Sequence, residues 1–187
     1  MSSTSATDGL GQHATLRVIL ISTAAALGGF LFGFDTAVIN GAVDAIRAHF
    51  GLNAGEIGIT VSCALLGSAV GAWYAGMLAN RFGRVRTMQV AAVLLVAAAA
   101  GSGLAMAVWD LVLWRLVGGI GVGVASVIAP TYIAEVAPAR IRGRLGSMQQ
   151  LAIVLGIFAA LLSDAWLAGA AGGAAEVLWL GLPAWRW

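Results

Sequence analysis

Residues 18–38 read VILISTAAALGGFLFGFDTAV, seventeen uncharged residues followed by Asp35. A helix needs about 20 apolar residues to cross a hydrocarbon core about 30 Å thick. The stretch therefore has spanning length, with a carboxylate near one end. It could be confused with a secretory signal, but it continues past signal length and four further apolar runs follow it. An uncleaved first span is the expectation. The other runs are roughly Ile57–Leu78, Met88–Val108, Leu111–Ile133 and Met148–Leu167. Lipid cannot satisfy free backbone polar groups, so each run is expected to be a helix.

Composition agrees. The chain has 187 residues, of which 60% are hydrophobic and 10% charged, with a mean hydropathy of +0.94. Soluble domains carry roughly a quarter charged residues, so too little polar surface is left to clothe a globule in water. The fold class is an all-α membrane protein. Its basic residues are all Arg and fall in short clusters between apolar runs rather than in a stripe, which excludes nucleic acid as a partner. The lone Cys63 cannot form an internal disulfide and is read as a packing residue.

The arginines orient the bundle. Arg17, Arg81, Arg84, Arg86, Arg140, Arg142 and Arg144 lie on one side of the spans, and the opposite loops hold Arg47. The positive-inside rule then puts the N-terminus in the cytoplasm. Residues 1–16 are small and polar and are expected to form a disordered cytoplasmic tail. Residues 17–187 form the transmembrane bundle, with a sixth span expected to begin at Pro183.

Two charges sit where lipid penalises them. Asp35 lies about 27 Å along a helix from Arg17, and Arg115 about 9 Å beyond Trp109 from the opposite face. Both depths fall in the same outer half of the core. Each charge alone would cost about 2.5–3.5 kcal/mol at a helix centre, and adjacency relieves much of that. One reading is a static salt bridge tying span one to span four. The other is a proton switch, since burial disfavours a carboxylate anion and a nearby guanidinium favours it. Glycine pairs at Gly29/Gly33, Gly67/Gly71 and Gly119/Gly123 have the spacing that lets helices approach closely in lipid.

Several segments taken together resemble the major facilitator superfamily, and within it the sugar porter branch. They are GGFLFGFDTAVING from Gly28, GMLANRFGRVR from Gly76, RLVGGIGVG from Arg115, PTYIAEVAPARIRG from Pro130, QQLAIVLG from Gln149, and Trp185-Arg186-Trp187. In order, they cover nearly all of residues 18–187 and are similar to the bacterial proton–xylose symporter type. The resemblance implies two six-helix halves made of inverted three-helix repeats, with alternating access around a midplane site. On that pattern this chain is the N-terminal half, with five complete helices and the start of a sixth.

The resemblance further implies roles. Asp35 matches the protonatable aspartate of the symporters and Arg115 its partner, whereas facilitative carriers have Asn at the first position. Gln150 matches a sugar-contacting glutamine and Phe32 an aromatic beside the sugar. The readings left beside these are an interhelical hydrogen bond for Gln150 and core packing for Phe32. Gln149, turned about 100° away along a helix, is a weaker substrate candidate. Asn80, Arg81, Gly83 and Arg84 form a cytoplasmic gate, with Glu135 and Arg142 in the loop after span four joining the same charge network. Alternatively, these are the positive-inside signal and a solvated loop pair. Asn80 departs from the Asp common in the superfamily, and Val85 replaces a usual Arg. His13 and His49 are read as solvated loop residues.

The expected function is proton symport of a monosaccharide or polyol across the cell membrane, by a protein that is a monomer when complete. The alternatives are a facilitative uniporter and a truncated half without activity. A membrane enzyme would need ligands at metal spacing or a nucleophile beside a base, and a channel would repeat polar residues along one helix face. The sequence shows neither pattern, so no cofactor or metal is expected.

Overall fold

In the computed structural model, residues 4–179 and 181–186 are described, with side chains from Ala26 onward. The tail expected over residues 1–16, with His13, lies outside the described side chains. Five long helices follow one another: α1 (Thr4–Phe50), α2 (Ala54–Phe82), α3 (Arg84–Leu104), α4 (Val108–Val136) and α5 (Arg142–Ala171). All five are long and apolar enough to cross a membrane. A small antiparallel hairpin, β1 (Val177–Trp179) with β2 (Leu182–Pro183), leads into a single 3₁₀ turn, Ala184–Arg186, where the sixth span was expected to begin.

The helices outrun the apolar stretches that announced them. Past Val38, α1 holds its apolar residues on one stripe. Ile39 and Ile46 are buried with Leu52, Ile57, Ala105 and Leu111, while Ala42, Val43 and Phe50 pack beside them. A stripe of that spacing keeps a helix against its neighbours although Asn40, Asp44 and Arg47 interrupt the hydropathy. The helix stops at Gly51, whose φ of +64° is one that L side chains rarely adopt. The amide of Leu52 then caps the Arg47 carbonyl at 3.0 Å. Asn53 opens α2 with a capping box. Its side-chain oxygen accepts from Gly55 and Glu56 at 2.9 and 3.0 Å, and its own amide donates to Glu56 at 2.9 Å. At the other membrane face Gly83 alone, with φ +87°, reverses the chain between α2 and α3. Connections this short leave consecutive helices antiparallel.

Packing centres on α4. Just over half of its spanning window is buried, against at most 28% for any other helix. Glycine makes this possible. A methyl group at Gly67 or Gly71 of α2 would collide with the α4 backbone at Leu116 and Ile120. Reciprocally, Gly119 and Gly123 of α4 sit against the α2 backbone at Ala64 and Ser68. The second parallel pair is built the same way, with Gly33 of α1 against Ile153 and Gly156 of α5 against Phe30 and Phe34. Lipid tails are as apolar as leucine, so association here depends on close van der Waals contact rather than on escape from water. The outward faces stay apolar and exposed, as at Leu65, Leu66, Trp73 and Leu162, and suit a hydrocarbon surround. Cys63 is buried, with its thiol directed at the Thr60 carbonyl, 3.0 Å away.

Replacing Gly119 by Val is expected to destabilise the bundle by at least about 1–3 kcal/mol, because the neighbouring backbone cannot yield. Gly76→Val, where nothing lies within 4 Å, is expected to be near neutral. Thermal unfolding of the two variants in detergent checks the contrast, and equal losses would refute the packing account.

Candidate functional site

Asp35 comes from the middle of α1 and Arg115 from the second turn of α4. The fold brings them together, with Nη1 of Arg115 3.8 Å from Oδ1 of Asp35. That is ion-pair range but too long for a good hydrogen bond. The arginine side chain is 9% exposed and the aspartate 30%. Burial of Arg115 follows from its helix, since Leu111, Gly118 and Gly119 beside it are buried too. Its Nε is sealed from solvent with no hydrogen-bond partner, so the guanidinium is held in place but incompletely satisfied.

A cavity of about 280 Å³ adjoins the pair between α1, α3 and α4. Its wall is largely apolar, with Phe34, Leu95, Leu111 and Trp114, and the 3₁₀ turn closes one end through Trp185 and Arg186. Trp185 Nε1 and Arg186 Nε, like Arg115 Nε, are buried donors without an acceptor among the described residues. The predicted pairing of span one with span four is therefore present, beside open space in which one partner can move.

The glutamines fall differently from expectation. Gln150 is exposed and Gln149 is buried, yet both line a second cavity of about 340 Å³ between α4 and α5. Phe32 is half-buried and lines neither cavity. Its carbonyl accepts a hydrogen bond from Thr36 at 2.7 Å, and no contact joins it to the glutamines among the described residues.

At the Arg-rich face, part of the expected gate is assembled. Arg84 donates to Glu135 at 3.1 Å and to Asn80 at 3.2 Å, linking the start of α3 to the end of α4 and the end of α2. Glu135 and Arg142 are not loop residues, as the sequence suggested. Glu135 lies in the last turn of α4 and Arg142 is the first residue of α5. Both ends stay helical because the chain between them is only a short turn, in which Ile141 and Arg142 donate to the Pro138 carbonyl at 3.0 Å. Arg142 caps the Ala137 carbonyl at 3.3 Å instead of meeting Glu135. Arg81 lies over the Phe82 ring, 5.6 Å from its centroid, so it too stays out of the cluster.

Two residues acquire a setting that sequence reasoning missed. His49 is in the last turn of α1 rather than in a loop. Its ring stands edge-on to Phe50 at 4.8 Å and 5.5 Å from Trp185, and hydrogen-bonds Arg186 at 3.4 Å. Asp164, near the end of α5, presses its carboxylate on Gly41 of α1 and leaves Oδ2 buried without a partner. A carboxylate 22 residues into a helix that starts at Arg142 was the available signal, and it resembles an ordinary interfacial charge.

With this geometry, residues 21–186 match the sugar (and other) transporter family. The chain belongs to that family. A glucose transport protein of Synechocystis sp. is 63% identical over 171 residues, covering 91% of this chain and 36% of the relative. The arabinose-proton symporter of Bacillus subtilis is 41% identical over 176 residues, covering 94% and 37%. Among solved structures, the major facilitator superfamily proton:xylose symporter XylE bound to 6-bromo-6-deoxy-D-glucose superposes with a TM-score of 0.83. It is 35% identical, and the match covers 92% of this chain and 41% of that one. The five helices are thus an N-terminal portion of the major facilitator fold, and the chain spans about two fifths of the length of these relatives.

The buried pair makes a stability prediction. Removing one partner of a fully buried ion pair costs about 3–5 kcal/mol, and exposed pairs are worth only about 0–1 kcal/mol. With Asp35 30% exposed, Asp35→Leu is expected to lie between, at about 2 kcal/mol. The double variant with Arg115→Leu should recover part of that loss. A double-mutant cycle on unfolding in detergent measures it, and strict additivity would deny the interaction.

Proposed function

We propose that this chain is the N-terminal half of a secondary active transporter that imports a monosaccharide or polyol together with a proton, by alternating access. The observation that carries this reading is the Asp35–Arg115 pair, held at 3.8 Å inside the bundle beside a cavity. The printed names of its relatives supply the substrate class: glucose, arabinose with a proton, and xylose with a proton.

The chemistry is a two-position switch. In a low-dielectric site, a carboxylate whose guanidinium partner withdraws holds a proton more firmly, and releases it when the partner returns. Symport needs access states that differ in proton affinity in this way. Asp35 carries the proton and Arg115 sets when it is held. Gln150, with Phe32 and Gln149, belongs to the sugar side of the cycle, because an amide both donates to and accepts from hydroxyl groups.

The Arg84–Glu135–Asn80 cluster, with Gly83, Arg81 and Arg142 around it, is the gate at the Arg-rich face. Its side chains are 28% and 47% exposed for Arg84 and Glu135, and pairs so exposed are worth only about 0–1 kcal/mol. That is weak enough to open in each cycle. The arginine bias places this face and the N-terminus in the cytoplasm, with the protein in the cell membrane. The complete protein has twelve helices and works as a monomer.

One observation favours a facilitative uniporter instead. The relative at 63% identity is named only as a glucose transport protein. The same experiment separates the two readings. In the complete transporter, reconstituted in proteoliposomes, wild type should accumulate sugar against its gradient when the outside is acid. Asp35→Asn should abolish that accumulation and leave exchange counterflow measurable. Undiminished accumulation by Asp35→Asn would exclude Asp35 as the coupling group, and its absence in wild type would favour uniport.

A further inference from the structure

The cavity between α4 and α5 contains a buried amide that the proposed transport cycle has not yet used. Gln149 is 7% exposed and has no hydrogen-bond partner among the described residues. It lies at the junction of three helices. Its backbone oxygen and Cγ would stand 3.1 and 3.2 Å from a methyl group at Gly29 of α1, so the glycine makes room for it. Its side chain lines the 340 Å³ cavity with Ser126, Pro130, Arg142, Gln150 and Ile153. An amide sealed in helix packing without a partner costs about 1–3 kcal/mol, so an unpartnered one facing a cavity points to a ligand.

A second polar group faces the same space. Pro130 has no N–H, so within α4 it cannot donate to the carbonyl of Ser126, four residues earlier. Both residues line the cavity. The Ser126 hydroxyl is already turned to the Gly123 carbonyl at 2.8 Å, which leaves the freed carbonyl as the acceptor. Two donors and an acceptor from the amide, with that carbonyl, match the alternating needs of adjacent hydroxyl groups. The volume falls within the roughly 300–1,000 Å³ typical of small-ligand sites. Along α5 the cavity runs from Gln150 to Arg142, eight residues or about 12 Å, toward the Arg-rich face.

We propose that this cavity is a second hydroxyl-binding station for the transported sugar or polyol, between the Gln150 contact and the Arg-rich face, formed by the Gln149 amide and the freed Ser126 carbonyl. The proposal rests on the transport reading above and assigns Gln149 to a stage of the cycle separate from Gln150. A ligand leaving Gln150 toward the Arg-rich face exchanges hydroxyl contacts there instead of crossing an apolar wall.

The test uses the complete transporter in proteoliposomes of uniform orientation, with whichever of D-glucose, D-xylose or L-arabinose the wild type carries. Half-saturation is measured from each face. Gln149→Leu should raise it at the Arg-rich face about 3- to 10-fold, the worth of one hydrogen bond, and change the opposite face less than about 2-fold. Pro130→Ala, which restores an N–H for the Ser126 carbonyl, should shift the same face in the same direction. It decides the matter alone if Gln149→Leu does not reach the membrane. Equal changes at both faces, as a merely structural role would give, or no change at either, overturn the station. Gln150→Ala should weaken both faces. Failure of that variant to alter either face removes the Gln150 contact, and wild type carrying no sugar removes the transport reading; either is distinct from a symmetric Gln149→Leu result.

Discussion

A guanidinium inside a hydrocarbon layer has to be enclosed by protein, and the bundle is arranged to enclose Arg115. The residue sits on α4, which α2, α3 and α1 all contact. Such crowding is possible because α4 carries a run of glycines, Gly118, Gly119, Gly121 and Gly123, and all of them are buried. Larger residues would hold the neighbours away and leave the charge to lipid. Asp35 then completes the enclosure from α1, at a distance that leaves the pair engaged without locking it.

The same constraint explains why the two parallel helix pairs resemble each other. In α2 with α4 and in α1 with α5, glycine on each helix meets backbone on the other. Both pairs are rigid for that reason, since close backbone contact cannot slide by a fraction of a turn without collision. Compliance lies elsewhere, in the cavity between α1, α3 and α4 and in the exposed ion pair at the Arg-rich face. Rigid pairs with soft seams suit a body that moves as a unit while a few polar contacts inside it change.

Much of the site was legible in the order of residues, and its limits have physical reasons. Asp35 and Arg115 could be matched because depth in a bilayer follows from counting residues along a helix. The glutamines could not be ranked in that way. Helix α5 is apolar on every face, with Leu151, Val154, Leu155 and Phe158 exposed around it, so periodicity does not say which of Gln149 and Gln150 turns inward. The contact with Gly29 decides it. Likewise Arg84 and Glu135 are 51 residues apart, and Arg142 appears to be an equal partner until its capping of Ala137 is seen.

The sequence by itself determined the number of spans, their order and the depth of their charges, because a bilayer imposes length and polarity on each segment separately. Tertiary structure alone decided which helices touch, that Arg115 meets Asp35 while Asp164 rests on Gly41, and that Gln149 is the buried glutamine. These outcomes depend on where glycine faces let two backbones cross, which is a property of helix pairs and cannot be read from either helix alone.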